Sequence, residues 1–431
     1  MPVLSELIPP TGPIRTLCVS HLAKTAANGI LMSVAVLYFT RTVGLRPTQV
    51  GVTLSIGAGV GLLTAIPAGR IADAVGPRHT TVALLCLLGL FVCGYPLVKG
   101  FVGLLVVSAL VLAVESSTEA AGGALIAGLI PPGDRVRAVS YMRAASNFSI
   151  ALGAGAGGIG LYLDRHAVYV ALMLLAGALF VVAGLAYLRV PGVARLEQAG
   201  DEPIWPVLRD APYGVVALLN AVLIMNSGIL LVALPIWISE RTSAPTWLFP
   251  VVLIINATTV VLFQTRSSRS SASAAGGARA MRLGGVLLAG CCAVFALTAG
   301  RPTWPAVALL LVGALIHVAG EMFHAAGSWS LGFGLAPEHA QGQYQGLFAM
   351  STQLGQLAAP ALATLLLTGL GSVGWLVFAV LFAAAGAATP AAARWAWRTR
   401  RSPAPQPTPA EAPGIVTPHG GRQAGQRTEG W

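Results

Sequence analysis

The chain has 431 residues, 55% of them hydrophobic and only 10% charged, with a net charge of +11 and a mean hydropathy of +0.76. So small a polar fraction cannot cover a soluble globule of this size, which excludes a water-soluble enzyme or binding domain and predicts a polytopic membrane protein. The positive charge does not imply nucleic acid, because no basic stripe with interleaved aromatics occurs and the arginines sit mainly in short loops and the C-terminal tail.

Apolar stretches of about 20 residues, enough for a helix to cross about 30 Å of hydrocarbon, fall near 14–39, 48–68, 79–98, 101–130, 138–163 and 167–189. A second set lies near 213–239, 245–265, 282–300, 303–330, 343–370 and 373–394. Strand alternation is absent, and helices satisfy every backbone polar group within their own segment, as lipid requires. The expected architecture is an all-α integral membrane protein with twelve transmembrane helices. Two six-helix halves, 1–190 and 213–396, flank a cytoplasmic linker at 191–212 that holds Glu197, Asp201, Glu202 and Asp210. Residues 397–431, rich in Pro, Gly and Gln, are expected to form a disordered cytoplasmic tail. Before the first span there is no basic segment followed by a short apolar stretch and a small-residue cleavage site, so that span is expected to remain in place. Cys18, Cys86, Cys93, Cys291 and Cys292 all lie in apolar segments without metal-ligand spacing, and are expected to pack rather than pair.

Orientation follows from the basic residues. One set of loops holds Arg70 and Arg78; Arg135, Arg137 and Arg143; Arg189, Arg195 and Arg209; and Arg266, Arg269, Arg279 and Arg282, followed by the arginines of the C-terminus. The opposite set has only Arg41, Arg46, Lys99, Arg165, Arg241 and Arg301. That asymmetry predicts that both termini lie in the cytoplasm; the expected location of this multi-pass protein is the cell (plasma) membrane.

The turn between the second and third spans runs Gly69-Arg70-Ile71-Ala72-Asp73-Ala74-Val75-Gly76-Pro77-Arg78. As a basic loop it would close any helical hairpin, but its pattern at Gly69, Asp73, Gly76 and Arg78 resembles the loop signature of the major facilitator superfamily. The resemblance implies that superfamily's fold of two pseudo-symmetric halves. It further implies that Asp73 faces the start of helix 11 near Gln343, where unpaired N–H groups favour an anion. Gly69, Arg70, Asp73, Gly76 and Arg78 would then latch the halves together on the cytoplasmic side, stabilising an outward-open state. An internal repeat agrees: Glu115 precedes Pro132-Gly133-Asp134-Arg135 at nearly the spacing by which Glu321 precedes Pro337-Glu338-His339. At the corresponding place in the second half, Arg266-Ser267-Ser268-Arg269 lacks the Asp.

On helix 5, Ser149, Gly153, Gly157 and Gly158 are similar to the superfamily's antiporter signature, although Ala154 stands where its proline is expected. Small residues at this spacing also simply let a neighbouring helix approach. A third superfamily pattern would put a buried Arg on helix 4, where this chain has Glu115-Ser116-Ser117-Thr118-Glu119.

Ionisable residues inside spans are costly and mark candidate sites. Three groups each share a helical face: His21, Lys24 and Asn28 on helix 1; Glu115 and Glu119 on helix 4; His317, Glu321 and His324 on helix 10. In the superfamily helices 1, 4, 7 and 10 line the central cavity, and Asn220 and Asn226 supply polar groups on helix 7. Lys24 is expected to pair with Glu119 or Glu115, and Glu321, flanked by the two histidines, to bind protons or a cationic substrate group. Structural ion pairing or a hydrogen-bond cluster is the alternative for each carboxylate group, and a metal triad on helix 10 would need ligands from other helices. No metal and no cofactor is expected. Asn256, Gln264, Gln353 and Gln356 either hydrogen-bond a substrate or bridge helices, and Trp237, Trp247 and Trp304 suit interface anchors.

The absence of G-x-x-x-x-G-K-[ST] argues against ATP as the energy source. The expected function is secondary transport by alternating access, as proton-coupled efflux of a small apolar or cationic molecule; the partners are that substrate, protons and the lipid bilayer. Import of a small nutrient by proton symport is the alternative, and a non-transporting receptor or scaffold the reading from another class. An embedded enzyme would need a nucleophile–base pair or an open metal site, and none is expected.

Overall fold

Proline stands in the first turn of helix after helix, where its missing N–H costs nothing and its fixed φ suits the helical start. In the computed structural model, which describes residues 9, 12–192, 205–267 and 273–401, α1 spans Pro13–Leu37 and runs into a π-helical turn at Tyr38–Thr42. It is followed by α2 Pro47–Val75, α3 Pro77–Val92, α4 Phe101–Leu129, α5 Pro132–Leu163 and α6 His166–Tyr187. A short helix at Trp205–Arg209 leads into α7 Ala211–Arg241, α8 Leu248–Ser267, α9 Ala274–Ala296, α10 Thr303–Gly334, α11 Gln341–Leu370 and α12 Ser372–Arg401. There is no strand among the described residues.

Ten of these helices are long and apolar enough to cross a membrane among the described residues, against the twelve spans predicted. The other two, α5 and α8, are helices of 32 and 20 residues that pack against each other within the same bundle. Charge at the start of α5, from Asp134 to Arg143, and small residues along the rest dilute its hydropathy. Of the predicted linker, residues 193–204 lie outside the described residues, including Arg195, Glu197, Asp201 and Glu202. Asp210 caps α7 by accepting from the Tyr213 N–H at 3.1 Å. Helix α12 continues past the predicted boundary at 396 to Arg401, and the remainder of the predicted tail lies outside the described residues.

Two apolar cores hold the bundle. One draws its buried residues from Leu17 to Val190 together with Phe333, and Trp329 packs against it; the other draws its buried residues from Val207 to Ala396 together with Ile66. The boundary between them is crossed by α11 packing on α2 and α4, and by α5 packing on α8 and α10. Glycine permits the closest of these approaches: a Cβ on Gly69 would strike the backbone carbonyl of Gly342, and one on Gly346 the backbone at Ala65 and Ile66.

Within the first core, Gly29, Gly153 and Gly157 bring α1 and α5 together, Gly153 facing the backbone of Ala26 and Ile30 and Gly157 facing Ser33. Gly158, grouped with them from the sequence, has open space where a Cβ would stand, because it lies one residue further round the helix. Trp237 is also not an interface anchor. It is fully buried, donates from Nε1 to Thr298 Oγ1 at 2.8 Å and meets Trp375 edge to face, whereas Trp247 and Trp304 are exposed. The cysteines are all free; Cys18, Cys291 and Cys292 are buried.

Candidate functional site

A cavity of about 1030 Å³ lies between the two cores. Its mouth is on the face away from the chain ends, where Met32, Leu54 and Leu357 line it and are exposed; its floor includes the buried Leu17, Thr81, Leu85 and Phe333. Most of the wall is apolar. Among its lining side chains are two cations, Lys24 and Arg143, three carboxyls, Glu115, Glu119 and Glu321, and two histidines, His21 and His324. Lys24, Glu119, Arg143 and Glu321 each lie ten to thirteen residues from the end of their helix nearest the chain termini, so at about 1.5 Å per residue they form a layer roughly 15–20 Å deep.

The face of α1 carrying His21, Lys24 and Asn28 meets α4, where the sequence puts a partner for Lys24, and also α5, which it does not. The Lys24 ammonium, itself buried, ion-pairs with Glu119, whose carboxylate is half exposed in the cavity. Asn28 Nδ2 donates to Glu115 Oε1 at 3.1 Å. His21 Nε2 donates to Ser146 Oγ at 2.8 Å, since the Ser146 hydroxyl gives its proton to the Met142 carbonyl. Asn28 itself does not line the cavity but braces a residue that does.

On α10 the outcome differs from expectation. Glu321 has His317 and His324 near it but is hydrogen-bonded to neither; it is paired through Oε1 with Arg143 of α5 and accepts at Oε2 from Asn256 Nδ2 of α8 at 2.9 Å. The guanidinium of Arg143 also lies 5.7 Å from the Trp329 ring centroid, within cation–π range. The two histidines turn instead to α7. His317 Nε2 donates to the Asn226 carbonyl at 3.1 Å, and His324 donates from Nε2 to Asn220 Oδ1 at 3.1 Å while Nδ1 accepts from Asn226 Nδ2 at 3.5 Å. Asn220 further accepts from Ser328 and donates to Ser351 and Thr352. Asn220 and His317 are thus buried members of a network tying α7 to α10 and α11, outside the cavity lining. That network sits where α7 is interrupted at Met225, resumes over Asn226–Gly228 and continues through a π-helical turn at Ile229–Ala233, an irregularity absent from the predicted span. No cluster of three or more His, Cys, Asp and Glu suited to a metal occurs among the described residues.

Arg143 is the site residue that sequence reasoning misses, having been counted with the basic loop before helix 5. Gln353 and Gln356 of α11 line the cavity, and Asn256 reaches it through Glu321; the side chain of Gln264 and the second copy of the loop signature, Arg266 to Arg269, lie outside what is described.

At the closed end, Asp73 meets the start of α11 as expected. Its two carboxylate oxygens accept from the Gly342 and Gln343 N–H groups at 2.8 and 3.0 Å, which are orphan donors of that helix. Gly76 ends α2 with φ of 110°, in the region that favours glycine. Arg78 donates to the Val190 carbonyl at 3.2 Å and so caps the end of α6, and Arg70 is half-buried beside the turn. On the same face Asp210 accepts from Tyr344 Oη at 2.7 Å and from Arg400 at 3.0 Å.

Two helical cores around a central cavity with charge at mid-depth define an α-helical membrane protein built for solute passage. Residues 17–360 match the Major Facilitator Superfamily, and the chain belongs to it. The same fold recurs in the human organic anion transporter MFSD10 (TETRAN), with 14% identity, a TM-score of 0.68 and coverage of 88% of this chain and 98% of that one. It recurs in the transporter FucP in its outward conformation, at 15% identity and a TM-score of 0.67 over 90% of this chain and 99% of that one. A bacterial homologue of the iron transporter ferroportin in an outward-facing state aligns at 17% identity and a TM-score of 0.65, over 90% and 100% of the two chains. No curated protein sequence matches the chain.

Proposed function

We propose that this chain is a proton-coupled secondary transporter of the plasma membrane, of the drug/proton antiporter type, which exports a small apolar or cationic molecule by alternating access. The observation that carries the reading is the cavity between the halves: apolar in most of its wall, open on one face, and crossed at mid-depth by carboxylates and cations. In this superfamily, transport proceeds by rocking of the halves about such a midplane site. With both termini in the cytoplasm, as the basic residues suggest, the open mouth faces outward and the Asp73 contact to α11 is the cytoplasmic latch. The close packing of Gly153 and Gly157 against α1 supports the antiporter resemblance. An open cavity does not suit a receptor or scaffold closed by its own side chains.

Proteoliposomes loaded with a pH-sensitive dye test the proposal. Cationic and apolar compounds are expected to drive proton movement, with flux under an imposed gradient running outward; no proton signal from any compound that binds overturns proton coupling. Import by symport is the second reading. It is favoured by the amides of Gln345, Gln353 and Gln356 along α11, which suit a hydroxylated solute, and FucP is itself a fucose:proton symporter of the same fold. Inward flux under the same gradient would select it.

A further inference from the structure

The charges that line the cavity do not balance. Three carboxyls face two cations, and both cations are already committed, Lys24 to Glu119 and Arg143 to Glu321. Glu321 is satisfied at both oxygens, by Arg143 and by Asn256. Glu115 is left with the neutral amide of Asn28 as its one hydrogen-bond donor among the described residues. The groups that face it do not change this count. From α1 these are Lys24 and His21, the first paired with Glu119 and the second bound to Ser146; from its own helix, Glu119; and from the turn after α3, Tyr95. The stretches of α2 and α11 that pack against α4 at this depth contribute no ionisable side chain. Glu115 also lies one helical turn nearer the open mouth than Glu119.

An isolated charge in an apolar wall is expensive and is normally balanced by a partner or removed. We infer that Glu115, and not Glu321, is the exchange site of the cavity: it holds a proton when the cavity is empty and releases that proton when a cationic group of the substrate takes its place beside the carboxylate. This rests on the transport reading above. The step balances as written, because the Glu115 O–H bond breaks, the proton leaves to the cavity water, and the carboxylate left behind is neutralised by the arriving cation. The charge of the layer is therefore the same before and after, which allows substrate and proton to occupy it alternately but not together. Asn28 is the positioning residue, since its amide donates to Glu115 Oε1 and so orients the carboxyl.

Infrared difference spectroscopy of the purified full-length protein, in a detergent without ester carbonyls, reads this without a transport assay. Near neutral pH, where ordinary carboxyls are ionised, the wild type with an empty cavity is expected to show the carbonyl band of one protonated carboxyl, read as the difference from an alkaline sample. The band should be absent in Glu115→Gln, shifted in frequency in Glu115→Asp and retained in Glu321→Gln. The Gln variant keeps an acceptor for Asn28, and the Asp variant keeps the acid, so loss of the band in one with retention in the other cannot arise from misfolding. Saturating tetraphenylphosphonium is expected to abolish the wild-type band and release one proton per cation bound. A band that persists in Glu115→Gln at an unchanged midpoint, or that survives binding of the cation, overturns the assignment. So does a wild type with no such band; if proteoliposomes of that protein still show substrate-driven proton flux, the assignment has failed and the transport reading stands.

Discussion

Arg143 holds together, in one side chain, the two halves of the bundle: its guanidinium pairs with a carboxylate of α10 and lies over the indole of Trp329. Both members of the pair are largely buried, with side-chain exposures of 23% and 18%, so removing one leaves the other uncompensated, a loss that costs about 3 kcal/mol or more in such settings. Arg143→Met is therefore expected to lower thermal stability in detergent strongly, and Glu321→Gln added to it to recover much of the loss. A double-mutant cycle on unfolding midpoints checks this, and simple additivity of the two would show that the pair is not coupled. The residue was illegible in the sequence because Asp134, Arg135, Arg137 and Arg143 read as one basic loop, yet α5 begins at Pro132 and carries Arg143 about 16 Å into the bundle. The α10 cluster was half legible for a related reason. At about 100° per residue His317 and His324 lie about 20° apart, while Glu321 stands about 40–60° to one side. That offset is enough to send the histidines to α7 and the carboxylate to α5 and α8. The pairing of Lys24 with a carboxylate of α4 was legible because the partners share depth as well as face, whereas only the face of Asn28, and not its bond to Glu115, could be read.

At the scale of elements, α2 and α11 depend on two kinds of contact that substitutions separate. Asp73→Asn keeps the shape but replaces a charged acceptor at a helix N-terminus by a neutral one, a loss of about 1–2 kcal/mol. Hydrogen exchange at the start of α11, measured by mass spectrometry, is expected to lose roughly 5- to 30-fold in protection, and transport to fall with membrane insertion intact. Unchanged exchange and unchanged transport would remove Asp73 from the latch. Gly69→Ala acts differently, because its Cβ meets the Gly342 backbone and not a movable side chain. It is expected to hold α2 and α11 apart, with exchange at the start of α11 rising at least as far as in Asp73→Asn although the carboxylate remains. Both residues stand in the loop signature, so their place was predictable from sequence. The spans themselves were legible because apolar runs of membrane length need no tertiary information. The break in α7 was not, since it depends on hydrogen bonds from His317 to the Asn226 carbonyl and from Asn226 to the Leu223 carbonyl, the first of them made by a residue 91 positions away.

For the whole molecule, the Asp73 contact at the closed end and the Arg143–Glu321 pair at mid-depth are two ties across the same boundary. They are separated by roughly 15–20 Å along the bundle, beyond the about 7–10 Å within which substitutions usually couple. If the halves move as rigid bodies, each tie biases one common equilibrium, and its loss should shift that equilibrium by its own free energy. Taking about 1–2 kcal/mol for Asp73→Asn and about 3 kcal/mol for Arg143→Met, the two combined should move the population toward closure of the outer mouth by about 4–5 kcal/mol, a roughly 900- to 5000-fold change. Spin labels at Leu97 and Trp304, exposed positions in separate halves at the mouth side, report this as growth of a shorter distance in pulsed electron resonance. Each single variant is expected to populate it partly and the pair to multiply the two effects. A double variant no further shifted than either single would mean that the two contacts release together as one structural unit, and that the boundary has a single lock with two visible parts.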